Sequence, residues 1–407
     1  MNERRLEVAD VFRLHADDFL TQWAHVLARH QKKAIADIRN CRTAAMGGHV
    51  EQCDQCGQRV ISYNSCRNRN CPKCQAAARA EWLAEREAEL LPVPYFHVVF
   101  TLPQPIGRLA LQNPRVIYTI LFRAVSETLL TIAADPKHLG GEIGFLAVLH
   151  TWGQNLHLHP HVHCVVPGGG ISPDGSRWVA CRESFFLPVR VLSRLFRNKF
   201  LIYLGKAFRQ GKLKFLGDLA SLAEPQAFGS LCQEAARIEW VVYAKRPFGG
   251  PEQVLKYLAR YTHRVAISNS RLVSLENGRV TFEWKDYAHG NQTKPMTLEA
   301  AEFMRRFLLH VLPPGFVRIR QFGFLANRVR KRKLGLCRAL LGALRPEQSA
   351  NTDSPADRDR KTERQTRHCP ACKAGCLVAI GFFRPGEMVS LETVAPVPPV
   401  RVAQDTS

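Results

Sequence analysis

Between residues 6 and 40 apolar positions recur at helical spacing, Val8, Val11 and Phe12, then Phe19, Leu20 and Trp23, which predicts two helices. A Cys-rich stretch from His49 to Cys74 interrupts that pattern. An Ala/Glu-rich helix over Gln75 to Leu90 follows, closed by Pro92 and Pro94. The spacing then turns mixed. Tyr95 to Leu102 reads as a strand rich in aromatic and β-branched residues, Ile117 to Ala133 as an apolar helix, and Gly144 to His150 and His157 to Val166 as two further strands. Ser193 to Ala236 is largely helical with a turn near Glu224-Pro225, Trp240 to Ala244 is a short strand, and Pro251 to Thr262 a helix. Arg271 to Leu275 and Arg279 to Trp284 form a hairpin, because Asn277-Gly278 suits a tight turn with positive φ. Glu347 to Arg367 is polar and poor in large apolar residues, hence a linker, and the Val/Pro-rich end after Glu392 is expected to be disordered. No internal repeat is visible.

Alternating strands and helices of this kind make an α+β chain. Its 407 residues suffice for two or three domains, and 46% hydrophobic with 23% charged residues is ordinary globular composition. Charge changes the picture: 57 Lys and Arg against 35 Asp and Glu leave +22, a surplus that points to a polyanion, nucleic acid before membrane. No secretory signal is visible at the start, and no apolar stretch reaches the roughly 20 residues needed to cross a bilayer. The 13 Cys therefore read as metal ligands of a cytoplasmic protein, not as disulfides.

Cys53-x-x-Cys56 is followed, after 14 residues, by Cys71-x-x-Cys74. Each CxxC turn sets two thiolates on one side of a knuckle, and two knuckles complete a tetrahedral zinc site, structural because no position stays open for water. Cys66 and His49 lie close enough in sequence to replace a ligand or serve a second ion. Arg59, Arg67, Asn68, Arg69 and Lys73 make the module basic, which suits DNA binding. Near the C-terminus, Cys369-x-x-Cys372 has only Cys376 beside it, one ligand short of such a set.

Asn155 to Gly170 reads NLHLHPHVHCVVPGGG. On a strand His157, His159, His161 and His163 share one face, with neighbours about 6.6 Å apart, while Leu158, Pro160 and Val162 turn to the core. Packing gives no reason for four imidazoles there; a divalent ion does. His161 and His163 lie nearest the strand's end, where loops bring in substrate. His159 is a candidate third ligand, but three consecutive same-face residues span about 13 Å, so a ligand from elsewhere is equally open. Imidazoles with open coordination positions suit a catalytic ion, with Mg²⁺ or Mn²⁺ completing its shell from water and phosphate oxygens.

The helix PEQVLKYLARYT opens with Pro251 and Glu252, favourable at a helix start. Val254, Leu258 and Tyr261 form its apolar stripe with Tyr257 on the edge, and Lys256, Arg260 and His263 face the basic side. Tyr257 and Tyr261 are i, i+4 neighbours about 6 Å apart. Either they pack a core, or they are nucleophiles. A tyrosine with a pKa near 10 is weak at neutral pH, but can attack a phosphodiester that a metal ion has polarised, leaving a phosphotyrosine that conserves the bond energy for rejoining.

Taken together these residues resemble the HUH-nuclease superfamily, and within it the two-tyrosine rolling-circle transposases of the IS91 type. His161-Val162-His163 matches the His-hydrophobic-His motif, and Tyr257-Leu258-Ala259-Arg260-Tyr261 the paired-tyrosine motif. RTAAMGGHVEQCDQCG from Arg42 and SYNSCRNRNCPKCQ from Ser62 look like the family's N-terminal zinc module, and PYFHVVFTLP from Pro94 and FGFLANR from Phe322 like further family segments. The likeness runs from about residue 5 to about residue 345. It implies a central antiparallel sheet with flanking helices, the histidine strand mid-sheet and the tyrosine helix beside it. It further implies transfer of single-stranded DNA without a carboxylate triad, in a bacterial cytoplasm, at the nucleoid when bound to DNA.

Gly315 to Leu344 contains no acid, and its Arg318, Arg320, Arg328, Arg330, Lys331, Arg332, Lys333 and Arg338 alternate with Phe316, Phe322 and Phe324, a pairing suited to phosphate contacts and base stacking. The expected organisation is a helical and zinc-binding module over 1–90, a catalytic domain over 91–300, a basic DNA-binding segment over 301–345, and a linker, small Cys cluster and tail over 346–407. A zinc-module regulator that binds DNA without cutting it is the alternative reading.

Overall fold

A computed structural model describes residues 5–75, 82, 86–87, 89–182, 185–248, 253, 266–287, 290–342 and 367–387. The helices are α1 (Val8–Trp23), α2 (Arg29–Asn40), α3 (Gln104–Gln112), α4 (Pro114–Ala134), α5 (Val189–Arg209), α6 (Pro225–Arg237), α7 (Ala300–Leu308) and α8 (Arg330–Leu340). The strands are β1 (Gly48–Cys53), β2 (Arg59–Tyr63), β3 (Tyr95–Thr101), β4 (Gly144–Trp152), β5 (Leu158–Pro167), β6 (Gly169–Ile171), β7 (Trp178–Ala180), β8 (Val242–Phe248), β9 (Leu272–Glu276), β10 (Arg279–Asp286), β11 (Gln292–Glu299), β12 (Ile319–Gly323) and β13 (Leu377–Phe383). The chain is α+β.

The largest sheet is antiparallel, in the order β12-β4-β5-β3-β8, so the histidine strand β5 lies in its middle. Alternation divides its side chains. Phe96, Val98, Phe100, Phe145, Ala147, Leu149, Val162, Cys164 and Val166 point to one face, where α3, α4 and α5 cover them in the main core. The opposite face carries the imidazoles together with Tyr95, Leu146, Val148 and Val165. Arg123 and Glu127 interrupt α4, yet that helix is apolar enough on average to cross a membrane, and two thirds of its apolar window is buried inside the protein. Burial against the sheet accounts for its composition.

A second core joins sequence-distant parts. Val8, Val11, Phe12 and Phe19 of α1 and Ile35 and Ile38 of α2 pack with Val280, Phe282, Phe303, Met304 and Phe307, and Phe12 meets Phe307 edge-on with centroids 5.4 Å apart. Two short amphipathic helices cannot bury their apolar faces alone, so residues 1–90 do not close upon themselves. The three-stranded sheet β11-β10-β9 and α7 complete that core. The expected β9–β10 hairpin turns at Asn277 (φ 50°) and Gly278 (φ 72°), as its Asn-Gly pair requires. The polar edge strand β11 was not expected.

The boundaries drawn at 301 and 346 also differ from the structure. Helix α7 belongs to the second core, β12 is the edge of the central sheet, and β13 returns to pair with β1 in the sheet β13-β1-β2. The helix expected over Gln75 to Leu90 lies mostly outside the described residues, and so do all of the linker expected over Glu347 to Arg367 except Arg367, and the end after residue 387.

Candidate metal centres and active site

His161 and His163 alternate along β5, and register supplies a third imidazole: His150 of β4 sits directly opposite His161. One nitrogen from each of His150, His161 and His163 lies within 4.8 Å of the others, with ring centroids 4.4 Å apart for His150–His163 and 4.8 Å for His161–His163. His159 does not join the group. A straight strand separates same-face residues by about 6.6 Å, whereas cross-strand neighbours stand about 5 Å apart, so the neighbouring strand offers the closer ligand. The His159 carbonyl accepts a hydrogen bond from His161 Nδ1 (2.6 Å), which fixes that ring and leaves Nε2 as its donor atom. His157 is exposed in the turn before β5.

Around the cluster lies a second ring of contacts. His97 of β3 shares a hydrogen bond with His163, Nε2 to Nδ1 at 2.8 Å, and the two rings stack. Trp152 stacks on His150 at 4.7 Å. Burial, with the charge of Lys245, pushes His97 down to about 3, and burial pushes His161 down to about 4. The His161 ring is therefore neutral at pH 7, as metal ligation requires. The donor set fits a divalent ion with open positions. Three nitrogens favour a transition ion such as Mn²⁺ over oxygen-seeking Mg²⁺.

The cysteines divide differently from the expected set. Cys53, Cys56, Cys71 and Cys74 do not meet around one ion. Cys53 and Cys56 sit at the tip of the β1–β2 hairpin while Cys71 and Cys74 follow its base, and five or six strand residues hold those ends roughly 17–20 Å apart. At the base, Cys41, Cys66, Cys71 and Cys74 place their sulfurs within 4.8 Å of one another, with Cys41–Cys74 and Cys66–Cys74 both at 3.6 Å. Shared hydrogen bonds set these thiols against each other: Cys66 holds Cys41 far below the ordinary thiol value, and Cys41 in turn drives Cys66 far above it. At the tip, Cys53 and Cys56 meet Cys369 and Cys372. Cys41 carried no CxxC signal, and the return of Cys369 and Cys372 depends on β13. His49 pairs with Glu51 and belongs to neither group.

Tyr257 and Tyr261, with Lys256 and Arg260, lie outside the described residues. The remaining basic residues sort by exposure. Arg67, Arg328, Lys331 and Arg332 are exposed, as phosphate contacts require. Arg69 is not available for that role: its guanidinium is half-buried and donates to the carbonyls of Phe316 (2.6 Å), Pro313 (2.9 Å) and Leu312 (3.0 Å), clamping the loop before β12. Arg330 pairs with Glu89 at 3.1 Å and Lys333 with Glu142 at 2.5 Å, both half-buried. A groove along β12 is lined by Trp82, Arg86, Arg115, Phe316 and Arg320, and Arg320 stacks on Phe122 with its guanidinium 4.2 Å from the ring centre.

Two family models match the chain. One, described as "Transposase zinc-binding domain", covers residues 11–102, and the other, described as "Putative transposase", covers residues 144–333. "Putative transposase y4qJ" of Sinorhizobium fredii (strain NBRC 101917 / NGR234) is 59% identical over 381 residues, 93% of this chain and 95% of that protein. "Transposase for insertion sequence element IS801" of Pseudomonas savastanoi pv. phaseolicola is 29% identical over 316 residues, 75% of this chain and 74% of that one. Among solved structures, "Conjugative Relaxase TrwC in complex with OriT Dna. Metal-free structure." matches at 15% identity and a TM-score of 0.24, covering 60% of this chain and 71% of that one. A superposition that slight carries no weight.

Proposed function

The chain belongs to the IS91-type transposases, and within that family we propose that it is an HUH-class enzyme, nicking and rejoining single-stranded DNA through 5′-phosphotyrosine intermediates in rolling-circle-like transposition. The observation that carries the reading is the convergence of His150, His161 and His163 at mid-sheet, on the face opposite the one that α3, α4 and α5 cover. Those three imidazoles hold a divalent ion, Mn²⁺ or Mg²⁺, which polarises the scissile phosphate when bound.

Chain residues do the rest. His97 and the His159 carbonyl orient the rings of His163 and His161. The hydroxyl of Tyr257 or Tyr261 attacks phosphorus, the O–P bond to tyrosine forms, and the bond to the 3′-oxygen breaks. The phenolic proton goes to that leaving oxygen through solvent, so the step balances as a transesterification. A 3′-hydroxyl attacking the phosphotyrosine reverses it and rejoins a strand. A second tyrosine allows one strand to stay attached while another is cut. Exposed Arg67, Arg328, Lys331 and Arg332, with Lys256 and Arg260, contact phosphates, and the β12 groove offers Trp82 for stacking a base. Cys41, Cys66, Cys71 and Cys74 hold a structural zinc.

Labelled single-stranded DNA incubated with the protein and Mn²⁺, run on gels before and after protease, tests this. A protease-sensitive shift, absent in the Tyr257→Phe/Tyr261→Phe double variant, is expected. Binding without cleavage means a regulator; turnover without an adduct means a hydrolase. Tyr243 stands two strands from His163 on the same sheet face, so peptide mapping of the adduct must separate it from Tyr257 and Tyr261.

A further inference from the structure

The two ends of the chain meet at the hairpin tip. There, Cys53 Sγ lies 3.7 Å from Cys372 Sγ and Cys56 Sγ 3.6 Å from Cys369 Sγ, and all four sulfurs fall within 4.8 Å of one another. A disulfide needs about 2.05 Å. Tetrahedral zinc with bonds of about 2.3 Å sets its sulfurs about 3.8 Å apart. We infer that Cys53, Cys56, Cys369 and Cys372 bind a second structural zinc, which fastens the C-terminal strand to the N-terminal hairpin across more than three hundred residues.

Local backbone on both sides is arranged for thiolates. The N–H groups of Gln55 and Cys56 face Cys53 Sγ at 3.5 Å each, and that of Gly375 faces Cys372 Sγ at 3.3 Å. Donors aimed at sulfur favour its charged form, the form a metal takes. A Cβ at residue 375 would stand 2.5 Å from Cys53 Sγ, so only glycine lets the two knuckles approach this closely. Asp54 locks them in register: its N–H donates to the Cys376 carbonyl at 3.0 Å, and its Oδ1 accepts from the Cys376 N–H at 2.8 Å.

Packing alone gives this corner little. The sheet β13-β1-β2 has three short strands, and Val378 and Phe382 of β13 are 53% and 77% exposed. So little buried apolar surface hardly offsets the ordering of β13 and the closure of so long a loop. Metal binding supplies the missing free energy, because structural zinc energy is folding energy. The inference stands apart from the reading of the DNA chemistry and of the Cys41 site.

Zinc per chain should be counted by native mass spectrometry on the full-length protein and on the Cys369→Ser/Cys372→Ser double variant. One zinc ion fewer is expected in the second than in the first, one against two when the Cys41 group is also filled. Alkylation mapped by mass spectrometry decides the point even if the double variant does not fold. Cys56 is exposed, so as a free thiol it alkylates readily, and as a zinc ligand it should react at least about tenfold more slowly until a chelator is added. Unhindered alkylation of Cys56 in the wild-type protein as purified would overturn the site. Full zinc content in a folded double variant, or iron in place of zinc, would overturn it equally.

Discussion

His150→Ala is the variant that separates a cross-strand metal site from one built along a single strand. His150 is 2% exposed, stacks on Trp152 and lies 4.4 Å, ring to ring, from His163. Removing an outer partner of a metal ligand typically lowers affinity 10–100-fold, so losing one of three ligands should cost at least about 100-fold, or about 2.7 kcal/mol. The truncation also leaves a hole beneath Trp152, for about 1–3 kcal/mol of stability. His150→Gln, closer in volume, checks that weaker metal binding is not partial unfolding. The assay is cleavage of single-stranded DNA across a Mn²⁺ titration, with Mn²⁺ binding followed by electron paramagnetic resonance. Both His150 variants should need about 100-fold more Mn²⁺. His159→Ala should stay within about threefold of wild type, since its carbonyl and not its ring holds His161. If His159→Ala abolishes Mn²⁺ binding while His150→Ala binds normally, the ligands lie along β5 and the cross-strand assignment fails.

Cys41→Ser should cost one zinc per chain and loosen α2 from the Cys-rich segment, read by zinc analysis and limited proteolysis; full zinc content would remove Cys41 from the site. Phe307→Ala should destabilise the protein by about 3–5 kcal/mol and expose α1 and α2 to protease together, since Phe307 is 1% exposed against Phe12; a loss under about 1 kcal/mol in urea unfolding would mean that the N-terminal helices are held elsewhere. Acid should weaken the metal-free fold. Burial lowers His97 to about 3, and His161 and His310 to about 4, below an unfolded value near 6.5. The unfolded chain therefore binds the extra protons, and stability is lost as pH falls from about 6.5 to about 4, by up to about 1.4 kcal/mol per pH unit for each histidine. Equal urea midpoints at pH 7.5 and 5.0 in chelator would contradict this.

Elements whose signal is local were legible in the sequence. The strand around His161 and His163 reads from its period of two, and the β9–β10 turn from Asn277-Gly278. What stayed hidden is what requires a partner strand. His150 ends an apolar run, GFLAVLH, as a single imidazole with no motif about it, and only the β4–β5 register sets it opposite His161. Period along one strand names the residues that share a face; it cannot name the residue beside them on the next strand. Arg69 makes the converse point: a basic residue in a basic module reads as a phosphate contact until the fold turns three carbonyls toward it.

The cysteines follow the same logic at longer range. Spacing alone pairs Cys53-x-x-Cys56 with the next CxxC in the chain, because a short loop is cheap to close. A hairpin placed between the pairs reverses that preference. Once β1 and β2 zip, the tip is roughly 17–20 Å from the base, and each pair must look elsewhere for two more thiolates. The base finds Cys41 at the end of α2 and Cys66 on its own loop. The tip finds ligands only if the C-terminus returns, and β13 is paired to β1 in a register that brings Leu377 opposite Cys53 and so carries Cys372 to it. Five residues of strand thus decide whether the chain has one four-cysteine group or two. That makes the length of the β1–β2 hairpin, and not the spacing of its cysteines, the feature to read in any related sequence.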